Sequence, residues 1–362
     1  MLTNIIYFSL LLFPMLSLAR IGEDRVNKSI AIMSIVLFCI VFSFRFDVAP
    51  DYTNYYSIYH SLIDGGGRYY NHVVAKTEPL FLLLNSTLIY FGLPYQALVI
   101  IITVYISTLA MLLLNRCKGH YILCWLIMFP LLMSSLNIMR QAIAIFTILW
   151  ASKFLLNGEG KKFLLAILLC SFVHYTTLVC LSFFFLVKMK RIQLYLSAFF
   201  VLSFITYLVF KSFGGISLIF RLMSVPEVYE AYLDYPYEEN AGFGIRIWLE
   251  LAYVIFFIIL IHNRNFSKNT VFYNFVFCIG ILLNFAFLEV PILSRLANYF
   301  YFFSILAVPS LLTELKFNYF KFTAVLLISL YFSMVSYRVI SSENYRPYQF
   351  ILFFNNHTPQ PK

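Results

Sequence analysis

Five groups of residues in this chain combine types and spacings that could do chemistry. In F-R-F-D-V-A-P-D-Y-T-N-Y-Y-S-I-Y-H, the carboxylates Asp47 and Asp51 precede tyrosines 52, 55, 56 and 59. The i, i+3, i+4, i+7 spacing lines these rings along one face of a helix lying at a membrane surface. Asp51 at the lipid–water boundary suits a general base, and the tyrosine faces suit stacking on sugars. The plain alternative makes Asp51 a helix cap and the tyrosines an aromatic belt. Glu78, in K-T-E-P-L-F, is a third acid, whose plain role is a charge at a helix start.

In N-I-M-R-Q-A-I-A-I-F, Arg140 and Gln141 open an apolar stretch. A guanidinium there can grip phosphate oxygens in bidentate fashion, or simply snorkel to the interface. His174, in S-F-V-H-Y-T-T-L-V, interrupts an apolar run, where a polar group is costly and usually functional. It suits a proton carrier, a hydrogen-bond donor to a leaving phosphate, or a satisfied structural histidine. Arg246 and Glu250 fall one helical turn apart in G-I-R-I-W-L-E-L, a spacing that lets them pair. Arg295 heads a span in E-V-P-I-L-S-R-L-A-N-Y-F. Finally, Tyr229, Tyr232, Tyr235 and Tyr237 interleave with Glu227, Glu230, Asp234, Glu238 and Glu239. That mixture suits carbohydrate, or a solvated loop.

The elements that must hold these residues are membrane spans. The 362 residues are 62% hydrophobic and 12% charged, with a mean hydropathy of +0.84. A soluble domain carries about a quarter charged residues. Soluble, disordered, collagen-like and coiled-coil classes are therefore excluded, and the chain reads as an all-α polytopic membrane protein of about 11–13 helices. The N-terminal apolar run has no preceding basic residue, so we expect a retained first span rather than a signal peptide. Six cysteines (39, 117, 124, 170, 180, 278) have no metal or disulfide spacing and read as small apolar-facing residues. No phosphate-binding loop, zinc-type histidine cluster or G-x-S-x-G elbow appears. An ATP-driven pump is not expected, nor a cofactor, a metal or nucleic acid as a partner.

Ten stretches read as clear spans. Two are ambiguous: Pro79–Phe91 is short, and Phe163–Val187 is broken at His174. If the first does not cross and the second is a hairpin, one set of loops gathers 15 basic and 4 acidic residues, net +11. The other then holds 11 basic and 12 acidic, net −1. That asymmetry marks the first set as cytoplasmic. Within a single polytopic domain (1–362), the long loops 45–77 and 212–245 and the tail 338–362 then lie outside. Long connections are usually functional, so activity is expected on that face.

At these residues the sequence resembles the EpsG family of Wzy-type polysaccharide polymerases. The features that carry the resemblance are D-Y-x-x-Y (Asp51, Tyr52, Tyr55), E-P-L-F (Glu78–Phe81), R-Q-A-I-A (Arg140–Ala144), the single His174 one span later, and Arg295 before an aromatic span. Order and spacing agree from about Phe44 to Tyr301. The resemblance implies a glycosyltransferase of the bacterial plasma membrane, with its site facing the periplasm or exterior. Such an enzyme moves a growing glycan from undecaprenyl pyrophosphate to another lipid-linked repeat unit. A chain-length regulator and a flippase are the candidate protein partners. Arg140, Arg295, Arg246 and Arg45 are then the candidate cations for pyrophosphate, without a metal. Asp51 and next His174 are the candidate bases, with Asp47 and Glu78 still open. Tyr52, Tyr55 and Gln141 complete the substrate-binding set. Two other classes fit less well. A flippase of the lipid-linked unit should show internal repeats, and none is found. A membrane acyltransferase should carry histidine and arginine in its early spans.

Overall fold

A computed structural model describes residues 24–65, 77–117, 119–213, 244–315 and 319–342, with isolated positions at 3, 6, 7, 9, 10, 70, 71, 74, 345, 348 and 349. The 214–243 segment, with its tyrosines and acids, lies outside the described residues, as does most of the C-terminal tail. Among the described residues the chain is helical and has no strand. Seven stretches are long and apolar enough to cross a membrane: Asp24–Ser43 (α1), Tyr95–Leu114 (α4), Met139–Leu156 (α6), Ile192–Phe213 (α9), Ile245–Asn263 (α10), Lys268–Ala286 (α11) and Leu293–Glu314. The last comprises most of α12 (Pro291–Tyr301) and α13 (Ser304–Glu314). Shorter apolar helices add Pro79–Tyr90 (α3), Tyr121–Ser135 (α5) and part of α14 (Tyr319–Ser341). The architecture is that of an all-α, multi-pass membrane protein.

Both ambiguous stretches are shorter than a full span. Pro79 fixes the first turn of α3, and the helix ends after 12 residues at Tyr90. The second stretch divides into α7 (Gly160–Ser171), a break at His174, a 3-10 turn over Tyr175–Ser182 and the one-turn α8 (Phe183–Leu186). The sequence across the break favours this. β-Branched Val173, Thr176 and Thr177 lose rotamer freedom in an α-helix, and the Thr177 hydroxyl donates to the His174 carbonyl at 2.7 Å.

Two compact units divide the chain, residues 1–178 with 308–362 and residues 179–307. In the first, α1 packs on α4 and α5, α6 on α4 and α7, and α14 on α5. Thirteen of the fifteen residues of α5 are buried, which makes it the axis of this unit. A helix apolar on every side can be enclosed by other helices without burying a polar face. In the second unit α11 has that role, with 14 of 19 residues buried and α9, α10 and α12 packed around it. By contrast, α9 buries only Leu196, Ser203 and Tyr207, and presents Leu194, Val201, Phe204 and Leu208 outward, as a lipid-facing helix does. Gly280 lets α11 and α12 meet backbone to backbone. A Cβ there would lie 2.5 Å from the Tyr301 nitrogen and 2.7 Å from the Phe300 carbonyl carbon.

Candidate functional site

The site in the first unit starts from proline geometry. A residue before proline is pushed out of the helical region, and Glu78 is extended, with φ −62° and ψ 143°. Its side chain makes no capping hydrogen bond to α3. The carboxylate instead joins two distant motifs. One oxygen pairs with Arg140 Nη1. The other lies 2.8 Å from His174 Nδ1. The Leu80 amide donates to the Phe172 carbonyl at 3.0 Å, tying the start of α3 to the end of α7 and holding the acid against the histidine. The Glu78 side chain is 5% exposed, whereas those of Arg140 and His174 are 24% and 22% exposed. The acid is thus the buried centre of a triad whose cation and imidazole are partly exposed.

Arg140 is the second residue of α6, at the positive end of that helix. Its guanidinium lies over the Phe81 ring at 5.6 Å and the Tyr55 ring at 5.8 Å, in cation–π contact with both. Its Nε has no hydrogen-bond partner. Burial raises the Glu78 pKa, but the His174 hydrogen bond and the Arg140 charge outweigh it and leave the carboxyl below its ordinary value. The acid is therefore ionised at neutral pH. An ionised Glu78 can accept from His174 Nδ1–H, a tautomer that leaves a lone pair on Nε2.

Asp51 precedes α2 (Tyr52–Asp64) but its side chain does not cap it. Its amide donates to Asn137 Oδ1 at 2.8 Å, and its carboxylate accepts from Asn54 at 3.1 Å. Asn137 therefore fixes the loop ahead of α2 only three residues before Arg140. Sequence reasoning passed over it, although a polar Asn between two apolar runs was the available signal. The loop ahead of Asp51 is strained. Asp47 and Ala49 adopt φ of 48° and 85°, in the left-handed region that L side chains avoid. Such strain clusters at functional loops.

The tyrosine stripe occupies one face, as its spacing implies, but that face is turned inward. Tyr52, Tyr55 and Tyr59 are buried, and Tyr52 meets Tyr95 edge-on at 5.2 Å. The Tyr59 hydroxyl donates to the Leu93 carbonyl. Sugar stacking by these faces does not fit that burial. They pack instead because ring area is worth more against other rings than beside a polar loop. Only Tyr56 of the four is half exposed. Arg45, expected among the phosphate-gripping cations, is 1% exposed and so closed to a pyrophosphate in this conformation. Burial pulls its pKa below the ordinary value, against the opposing pull of Tyr95 and Tyr52. Asp47 and Gln141 are also buried.

In the second unit Arg246 and Glu250 pair as their spacing predicts, Nε to Oε1 at 2.9 Å. Tyr301, which sequence reasoning missed, donates to the same Oε1 at 2.8 Å and places its ring 6.0 Å beneath the Arg246 guanidinium. Arg295 is exposed on α12. Among the described residues, no cluster of three His, Cys, Asp or Glu side chains could hold a metal ion.

The chain matches no curated protein and no solved structure. It does match the EpsG family along residues 2–350, nearly its whole length. A multi-pass architecture with the E-P-L-F, R-Q-A-I-A and late-histidine motifs drawn to one carboxylate accords with that match, and the chain belongs to the EpsG family, which is associated with Wzy-like membrane polysaccharide polymerases.

Proposed function

We propose that this chain transfers a growing glycan from undecaprenyl pyrophosphate to a lipid-linked repeat unit at the outer face of a bacterial plasma membrane. The observation that carries the reading is the contiguous triad Arg140–Glu78–His174. In this scheme Glu78 holds His174 Nδ1–H, and Nε2 takes the proton of the acceptor hydroxyl. The acceptor oxygen attacks the anomeric carbon, and the bond from that carbon to the pyrophosphate oxygen breaks. The charge left on the undecaprenyl pyrophosphate is met by Arg140 at the positive end of α6. Attack in one displacement inverts the anomeric centre. Asp51, pinned beside Asn137, then positions the acceptor or serves as the alternative base. Arg295 and Arg246 remain the further cations for the anionic donor.

The test is complementation of a strain that lacks its own polymerase, read as a surface-glycan ladder on a gel. Wild type should restore the ladder. Arg140→Ala and His174→Ala, expressed and inserted at wild-type level, should leave single repeat units. Intact ladders from both variants would overturn the assignment of the site. Complete loss of surface glycan without the protein, rather than accumulation of one unit, would point to a flippase.

A further inference from the structure

We infer that Arg45 forms one wall of a buried binding site for a single small monovalent anion of halide size. The guanidinium is 1% exposed. Its Nη2 donates to the Leu136 carbonyl at 3.2 Å and to the Met139 sulfur at 3.3 Å. Its Nε and Nη1 have no hydrogen-bond partner. Guanidinium chemistry makes those two atoms three N–H donors. None of the ion pairs among the described residues includes Arg45. Both a net charge and several donors are thus held in an apolar interior, where each is costly unless answered.

The same guanidinium borders a cavity of about 10 Å³, lined also by Phe38, Ile102, Thr103, Ser135 and Met139. That volume is on the order of what one water-sized particle needs. The Thr103 and Ser135 hydroxyls already donate to the carbonyls of Val99 and Leu131, both at 2.7 Å. They offer no charge and no free proton. A water would answer one or two of the Arg45 donors but leave the charge uncompensated. A single halide answers both, and it tolerates the thioether and ring edges around it. Sulfate, phosphate and pyrophosphate are too large for the space. The site is therefore separate from the proposed reaction and does not depend on it.

The experiment is thermal unfolding of the purified full chain in detergent at constant ionic strength, exchanging gluconate stepwise for chloride or bromide. Wild type should gain about 3 °C or more by ~100 mM halide, and above the dissociation constant the gain should rise with the logarithm of halide concentration, as binding to the folded state requires. General salt effects instead follow how strongly each anion is excluded from the protein surface and do not depend on Arg45. Arg45→Met should lose the halide response, and Arg45→Lys should shift it to higher concentration. If Arg45→Met does not fold, the wild-type titration still decides. Equal stability of wild type in gluconate and halide overturns the proposal, as does an unchanged halide response in Arg45→Met. Sulfate substituting for chloride with the same midpoint would also overturn it, because the cavity cannot hold it.

Discussion

Replacing Glu78 by glutamine preserves its shape and removes the charge that both Arg140 and His174 use. Breaking a fully buried ion pair costs about 3–5 kcal/mol. Here the Arg140 side chain is 24% exposed and can be rehydrated, which brings the stability loss to about 1–3 kcal/mol. The catalytic loss should be larger. A glutamine amide can donate to His174 Nδ1, which moves the imidazole proton to Nε2 and removes the base. A misassigned tautomer of this kind, or a lost general base, lowers rates by about 10²–10⁴. The assay is polymerisation of a synthetic lipid-linked repeat unit by purified protein, with folding checked by size-exclusion elution and unfolding temperature. Because Glu78 acts through His174, the effects should not add. Glu78→Gln with His174→Ala should be within about tenfold of the worse single variant, instead of showing the product of the two losses. Multiplicative losses would refute the dyad, and so would a folded Glu78→Gln enzyme of wild-type rate.

Four further outcomes follow from the geometry. Arg140→Lys keeps the charge but loses the planar fork, and initial-rate measurements should show transfer reduced about 10–100-fold with KM for the pyrophosphate donor raised. Because the Glu78 carboxyl is depressed, its stabilising contribution is complete above about pH 4.5 and is lost as pH falls through its lower folded value. The unfolding temperatures of wild type and Glu78→Gln should therefore converge on acidification. Ala49→Gly relieves the left-handed strain at φ 85° and should stabilise by about 1 kcal/mol in unfolding measurements, whereas Ala49→Val should destabilise. Gly280→Ala forces α11 off the Tyr301 backbone and should destabilise by about 1–3 kcal/mol, visible as a lower unfolding temperature without loss of the Arg140–Glu78–His174 chemistry in protein that remains folded.

The elements were largely readable from hydropathy and from local breakers. Pro79 starts α3 where a proline should, and the 163–187 stretch breaks at His174, just ahead of two threonines. Arg246 and Glu250 meet because one helical turn separates them. What could not be read was direction and distance. Periodicity puts the tyrosines of α2 on one face, but it does not say whether that face meets lipid, water or protein, and it meets Tyr95 and Phe81. Nor does any local rule join Glu78 to residues 62 and 96 positions away. Those contacts depend on how whole helices pack. Arg45 shows the same limit from the other side, since an arginine next to a loop reads as exposed until the surrounding helices close over it.

The two half-length helices have a consequence for side reactions. Twelve residues rise about 18 Å, against a hydrocarbon layer of roughly 30 Å. Neither α3 nor α7 is long enough to cross such a layer alone, and the ends that the Leu80–Phe172 hydrogen bond brings together carry Glu78 and His174. In the reaction proposed above, a donor whose reactive carbon reached those helix ends would be flanked by apolar side chains rather than by bulk solvent. Sugar hydroxyls then compete with few water molecules for the activated carbon. On that reading the shortness of α3 and α7 favours chain growth over hydrolysis of the donor.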